Sequence, residues 1–472
     1  MFGLTTGLTL LLLMCLLAAC TFEFINGFHD TANAVATVIY TNSLKPRIAV
    51  IWSGTWNFIG VYFGGIAVAM AIVNLLPVEA LVDNDMSHSI AMIMALIFSA
   101  IIWNIGTWYF GIPISSSHTL IGSIFGVGLA YRFLPGSTAT ALNWHKVQEI
   151  GLSLLISPFF GFFLALLVMY ILFKTIRKRN RKLFKTPPTG KAPPLWVRAV
   201  MVIACTGVSF SHGSNDGQKG VGLIMLILIG VVPGYFAIDR GKSPVTMHNS
   251  IVQVDNAIRS IDTSKITLEQ YQAMKVIRGK ADTIEMTVSH ITSFDQIPQE
   301  KHFLLRKNIL ILARNIDFLL KSLSDSNNKG LLQKDLILLK KNVAGLKTNT
   351  EYAPWWVILM VSLSLGMGTM IGWKRIVVTV GERIGKTPLN YAQGATSQII
   401  AACTIGASSM FGLPVSTTHV LSSGVAGTMV AQKGFKNLQG KTIKNIALSW
   451  IVTLPVTIVL SGSIFLFLRW LL

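Results

Sequence analysis

Charge is the scarcest thing in this sequence. Asp, Glu, Lys and Arg make up 13% of its 472 residues, about half the share in an ordinary soluble domain. Acids are the rarer sign, 20 against 40 basic residues. Long stretches lack both. No Asp, Glu, Lys or Arg occurs from Ile48 to Val78, Met86 to Tyr131, Ile150 to Phe173, Thr387 to Gln432 or Asn445 to Leu468. Each stretch is long enough for the roughly 20 apolar residues that span a bilayer. That excludes a soluble globular fold for most of the chain. The stretches are also too long for barrel strands, and hydrocarbon tolerates only helices and closed barrels. Cysteine is scarce as well. Cys15, Cys20, Cys205 and Cys403 sit in apolar sequence without metal-binding spacing, so neither a disulfide framework nor a cysteine-held metal is expected. Leu17-Ala18-Ala19-Cys20 has the form of a lipoprotein cleavage box. No basic residue precedes it, however, as a signal peptide requires, so the segment reads as a first membrane helix.

What remains is a bundle of about ten to twelve membrane segments, two of the charge-free stretches holding two passes each or one pass and a re-entrant piece. The net charge of +20 does not point to nucleic acid, because the basic residues lie between the apolar segments, where the positive-inside rule places them. Lys174 to Arg198 holds nine basic residues and no acid and reads as a cytoplasmic loop. Lys374 to Lys386 is also basic and conflicts with a simple alternating count. The largest interruption, about 239–351, is charged. Within it Leu305, Ile309, Leu312, Ile316, Leu319 and Leu323 alternate spacings of four and three, as do Leu332, Leu336, Leu339, Val343 and Leu346. That is the apolar seam of packed amphipathic helices, with the polar stretch Ser324 to Gly330 as their turn. The expected organisation is membrane repeat 1 over 1–173, a basic loop over 174–198, the start of membrane repeat 2 over 199–238, a soluble cytoplasmic helical insert over 239–351, and the remainder of repeat 2 over 352–472.

The membrane part repeats itself. Phe24 to Val35 matches Phe210 to Val221, with Phe, Gly, Asp and Val in register. Gly111 to Leu120 (GIPISSSHTL) matches Gly412 to Leu421 (GLPVSTTHVL), and Gly126 and Gly427 continue the register. The spacing from Asp30 to Pro113 is 83 residues and from Asp216 to Pro414 is 198; the excess is about the size of the insert. Related halves whose apolar segments are broken by Gly and Pro at matching places mark a transporter's central site. The fold expected is therefore an all-α polytopic membrane protein of two pseudo-symmetric, inverted repeats with broken or re-entrant helices, plus the insert.

Each second motif has the chemistry of an anion cradle. Proline suits a first helical turn, and Ser or Thr caps it. Free backbone N–H groups and the positive dipole end then attract an anion. The hydroxyls of Ser115, Ser116, Ser117, Ser416, Thr417 and Thr418 add neutral donors, which a carrier needs if it is to release its cargo. With Thr119, His118 and His419 they form the candidate oxyanion site. The first motifs supply acids where acids are rare. Asp30 and Asp216 hold equivalent positions, and intramembrane carboxylates mark ion or substrate paths; both are candidates for coupling-cation or proton binding, with Asn33 and Asn215 offering neutral oxygens. Glu23 has only Ser209 as its counterpart and ranks lower. Lys219 aligns with Asn33 and follows Asp216 by three residues, one helix face. Paired with Asp216, its ammonium would occupy the space of a sodium ion; it could instead touch the anion. His29, His118, His212 and His419 lie in the motifs and can relay protons, but no zinc spacing occurs. An intramembrane hydrolase using Ser115 or Ser117 with His118 is disfavoured because neighbouring helical side chains diverge. A pore is the third reading.

The segments Gly27 to Asn33, Pro113 to His118, His212 to Asp216 and Pro414 to His419 resemble the inorganic phosphate transporter (PiT) family over both membrane halves. Gly27-Phe28-His29-Asp30-Thr31-Ala32-Asn33-Ala34 and Gly217-Gln218-Lys219-Gly220 resemble its bacterial low-affinity Pit branch. The resemblance implies a secondary active transporter in the bacterial inner membrane. It would import phosphate by proton symport with alternating access, the substrate also being taken as a neutral divalent-metal phosphate complex. It also implies a possible homodimer. Without zinc spacing no permanent cofactor or metal is expected, and arsenate, nearly isosteric with phosphate, is expected to compete as an analogue. Sodium-driven members carry Asn where Lys219 stands, which argues against sodium coupling here. A sodium-coupled carrier, or a carrier of another tetrahedral oxyanion such as sulfate, is the alternative.

Overall fold

A computed structural model describes residues 2–76, 86–112, 114–134, 142–188, 190–325, 333–371, 377 and 384–471. Among them the secondary structure is helical apart from an isolated bridge between Gly385 and Leu438. The chain forms two compact units. One holds Leu4–Ile227 and Ala353–Leu472; the other holds Leu228–Tyr352 with Met1–Gly3.

The larger unit is the membrane body. Its helices in the first half are α1 (Thr6–Tyr40), α2 (Pro46–Phe63), α3 (Ala67–Val73), α4 (Met86–Tyr109), α5 (Ser116–Arg132) and α6 (Trp144–Thr175). The second half begins with α7 (Leu195–His212), a π-turn (Gly213–Gly217) and α8 (Gln218–Val231). After the smaller unit it resumes with α13 (Trp355–Thr369), α14 (Tyr391–Met410), α15 (Thr417–Lys433) and α16 (Gly440–Leu471). Among the described residues five spans are long and apolar enough to cross a membrane, or six if α2 and α3, bent by 71° at their junction, count as one span. Three further helices are shorter: α5 and α15 have 17 residues each and α13 has 15. At 1.5 Å per residue these rise about 23–26 Å, short of a hydrocarbon core of about 30 Å. The outward face of α6 is apolar, with Leu155, Phe159, Phe163 and Leu167 exposed, as lipid contact requires.

The repeat register extends into the packing. Helices α5 and α15 have equal length, as do α6 and α16 at 32 residues, each of the latter pair with an internal proline, Pro158 or Pro455. The halves exchange partners: α5 lies along α16 and α15 along α6, while α1 lies along α13 and α7 along α2. Gly126 abuts the Ile458 carbonyl, and its counterpart Gly427 abuts the Phe162 carbonyl. A Cβ at either place would overlap backbone, so glycine permits the close approach. The result is two interlocked halves, with both second motifs held between them.

The smaller unit is built from α9 (Pro244–Arg259), α10 (Leu268–Val288), α11 (Gln299–Asp325) and α12 (Gln333–Lys347). It contains the expected insert, 239–351. The seam residues Leu305, Ile309, Leu312, Ile316, Leu319, Leu339, Val343 and Leu346 are buried in one core, each worth about 1.5–3 kcal/mol relative to exposure. Residues 326–332, which include most of the expected turn and Leu332, lie outside the described residues. Arg306 ties the incoming and outgoing chain together, donating from Nη1 to the carbonyls of Ala237 (3.1 Å) and Thr350 (2.5 Å). Asp239 N donates to Asn349 O at 2.8 Å, and Tyr352 Oη donates to Ile238 O at 3.2 Å. Burial pushes the Arg306 guanidinium down to about 10.

Candidate functional site between the two repeated motifs

Gly111 and Gly412, with φ of 65° and 68°, turn the chain at the C-terminal ends of α4 and α14 toward the second motifs. Pro113 lies outside the described residues. Ser115 caps α5 and Ser416 caps α15: each hydroxyl accepts from the backbone N–H three residues on, at His118 (3.2 Å) and His419 (3.1 Å). Both cap side chains are thereby occupied in forming the helix start. Thr119 is also occupied within its helix, its Oγ1 donating to Ser115 O at 3.2 Å. The other four hydroxyls reach the first motifs or the opposite half. Ser116 donates to Asp30 Oδ2 (3.3 Å) and Thr418 to Asp30 Oδ1 (2.5 Å). Thr417 donates to Asp216 Oδ2 (3.5 Å), and Ser117 to Val415 O (2.7 Å).

The two aspartates sit in different backbones. The sequence suggests matching helix breaks. In fact α1 runs unbroken through Asp30, whereas Asp216 lies in the π-turn between α7 and α8. A π-turn inserts a residue and re-aims side chains, a common device at functional sites. Asn215 anchors this turn to the chain entering α15. Its Nδ2 donates to Ser409 Oγ (3.0 Å) and Leu413 O (3.1 Å), and its Oδ1 accepts from Val415 N (3.2 Å). Asn33 lies on α1, but its side chain is outside the described residues.

Lys219 Nζ lies 2.8 Å from Asp216 Oδ1, both side chains 1% exposed. The same ammonium donates to Ser117 Oγ and to Val415 O at 3.2 Å. His212 Nε2 sits between the acids, 3.7 Å from Asp30 Oδ2 and 3.8 Å from Asp216 Oδ2. His29 Nδ1 is 3.6 Å from Asp30 Oδ1. These distances exceed a good hydrogen bond. Ligand atoms of Asp30, His212 and Asp216 lie within 4.8 Å of one another, close enough to surround a small cation or share a proton. With both acids ionised and the imidazoles neutral, one ammonium leaves one excess negative charge in a buried cluster. Such a charge favours a cation or proton.

His118 and His419 lie ring against ring. Their ring centroids are 4.6 Å apart, and His419 stacks on Trp450 at 3.8 Å. Two residues escape the sequence reading. Asn57 Oδ1 lies 3.0 Å from His212 Nδ1, and Asn57 Nδ2 donates to Thr369 Oγ1 at 2.8 Å. The only sequence signal was a buried-type amide in an apolar helix.

The model of the phosphate transporter family matches residues 26–461. The chain is 40% identical to the low-affinity inorganic phosphate transporter PitA of Escherichia coli K12, covering 98% of this chain and 97% of that one. It is 41% identical to a low-affinity inorganic phosphate transporter of Buchnera aphidicola, over 97% and 96% of the two chains. A solved structure titled as the sodium-dependent phosphate transporter shares the fold, with a TM-score of 0.54 and 19% identity over 98% of this chain and 100% of that one.

Proposed function

This chain belongs to the phosphate transporter family, and on that premise we propose that it carries inorganic phosphate across the bacterial inner membrane, coupled to proton entry. The observation that supports the reading best is the convergence of donors from both halves on one buried cluster: Ser116 and Thr418 on Asp30, and Thr417 and Lys219 on Asp216.

In this reading the repeats are inverted, and alternating access is a rocking of the interlocked halves about the cluster. Phosphate enters between the N-termini of α5 and α15, where backbone N–H groups and the dipole ends receive it. Its oxygens compete with the carboxylates for Ser116, Thr417, Thr418 and the Lys219 ammonium, and with the Val415 carbonyl for Ser117. Each hydroxyl of Ser116, Thr417 or Thr418 that turns to substrate leaves a carboxylate oxygen without a donor, and the negative charge uncovered there favours entry of a proton. Anion loading and proton loading are thereby linked. Asn215 and Asn57 hold the π-turn and His212 in place. A metal bound to the phosphate travels as part of the cargo. Ser115, Ser416 and Thr119 shape the helix starts, and His118 and His419 line the approach. The ammonium on Asp216 takes the place a sodium ion would need, which favours protons over sodium.

The test is labelled-phosphate uptake in proteoliposomes. Asp30→Asn and Asp216→Asn should each abolish coupled uptake, and arsenate should compete. Full coupled uptake by both variants, or sulfate competing as well as arsenate, would refute the reading.

A further inference from the structure

Glu23 is a fully buried acid that the cluster does not use. It lies on α1 two turns before Asp30 and is 0% exposed. Asn26 Nδ2 donates to its Oε2 at 3.2 Å. Its Oε1 has no hydrogen-bond partner, and neither does Asn26 Oδ1, although Asn26 is only 1% exposed. Among the described residues no basic nitrogen forms an ion pair with it. Its carboxyl packs on the backbone of Gly220, where any Cβ would collide with it. Gly220 follows Lys219, so the acid touches the helix that carries the ammonium. The charged or titratable groups facing it are Cys20 and Asp30 on its own helix, and Asp216 and Lys219 across from it. Helix α13, packed along α1, carries none.

An ionised carboxylate in this position would hold its charge with one neutral amide donor, far short of what burial demands. A proton on Oε1 removes the charge and converts an unpartnered acceptor into a donor, beside an amide whose oxygen lacks one. We propose that Glu23 is the site that carries the transported proton: the proton binds as O–H on Oε1 from one side of the membrane and leaves from the other. The site is single, because Ser209 stands at the equivalent position in the second half and pairs with Ser53 at 2.9 Å. Lys219 links it to the substrate. An ammonium drawn to phosphate leaves the wall beside Gly220 and alters the field on the acid. This proposal rests on the proton-coupled reading above.

The experiment uses full-length protein in vesicles with an internal pH dye. In the wild type an inward proton gradient should drive phosphate accumulation and acidify the lumen. Glu23→Gln mimics the protonated acid. It should lose gradient-driven accumulation and the luminal pH change, while phosphate exchange persists at a rate that no longer varies with pH. Glu23→Asp should restore part of the pH dependence. Glu23→Gln that still accumulates phosphate on a proton gradient overturns the proposal alone. Wild-type protein that transports phosphate without protons overturns it together with the coupling reading. Should the glutamine variant not fold, infrared spectra supply the readout. A protonated-carboxyl C=O band should be present in the wild type and shift in Glu23→Asp; a band absent, or indifferent to the substitution, overturns the assignment.

Discussion

Replacing Lys219 with methionine tests the electrostatics of the cluster. The ammonium lies 2.8 Å from Asp216, both side chains buried, and also donates to Val415 O. Removing one partner of such a pair strands a buried charge, at a cost of about 3–5 kcal/mol. Removing both partners also removes both desolvation costs, so Lys219→Met with Asp216→Asn should recover most of that loss. The single variant should therefore unfold well below the wild type, and the double variant should unfold between them, nearer the wild type. Tryptophan fluorescence on heating, in detergent and without phosphate, reads this directly. Wild-type stability in Lys219→Met, or a double variant no more stable than the single one, would show that the ammonium does not neutralise Asp216.

The interlocked halves predict matched effects at matched glycines. Gly126→Ala and Gly427→Ala should each destabilise by about 1–3 kcal/mol through overpacking, whereas Gly151→Ala, with open space around it, should be neutral; thermal unfolding separates them. Ser115→Ala and Ser416→Ala each remove a helix cap, worth about 1 kcal/mol. Each should raise the KM for phosphate more than it lowers the maximal rate, because the N–H groups that receive the anion lose their fixed geometry. Equal KM values in uptake kinetics would remove the helix starts from the binding site.

The local chemistry of the site was legible because it is written within short segments. A serine before SSH or TTH reads as a cap, and both caps form. Lys219 three residues after Asp216 reads as one helix face, and the two side chains meet. The seam from Leu305 to Leu323 reads as helix, and it is one. The cross-half pairings were not legible. Thr418 reaches Asp30 across 388 residues, and Asn57 reaches His212 across 155; no local periodicity encodes either. The unbroken α1 also differs from the broken second copy. Gly27 and Gly213 hold the same register position, but a single glycine is tolerated within a helix, so the π-turn is decided by packing rather than by the motif. The burial of Glu23 against Gly220 was hidden for the same reason. An acid without a counterpart in the repeat looked incidental until the opposite helix was in place.

The central claim is phosphate transport driven by protons. Its most direct measurement is labelled-phosphate uptake into proteoliposomes of the full chain, with a pH gradient and a sodium gradient imposed separately. The account predicts accumulation on the pH gradient alone and none on the sodium gradient at equal pH. Accumulation on the sodium gradient alone would contradict it.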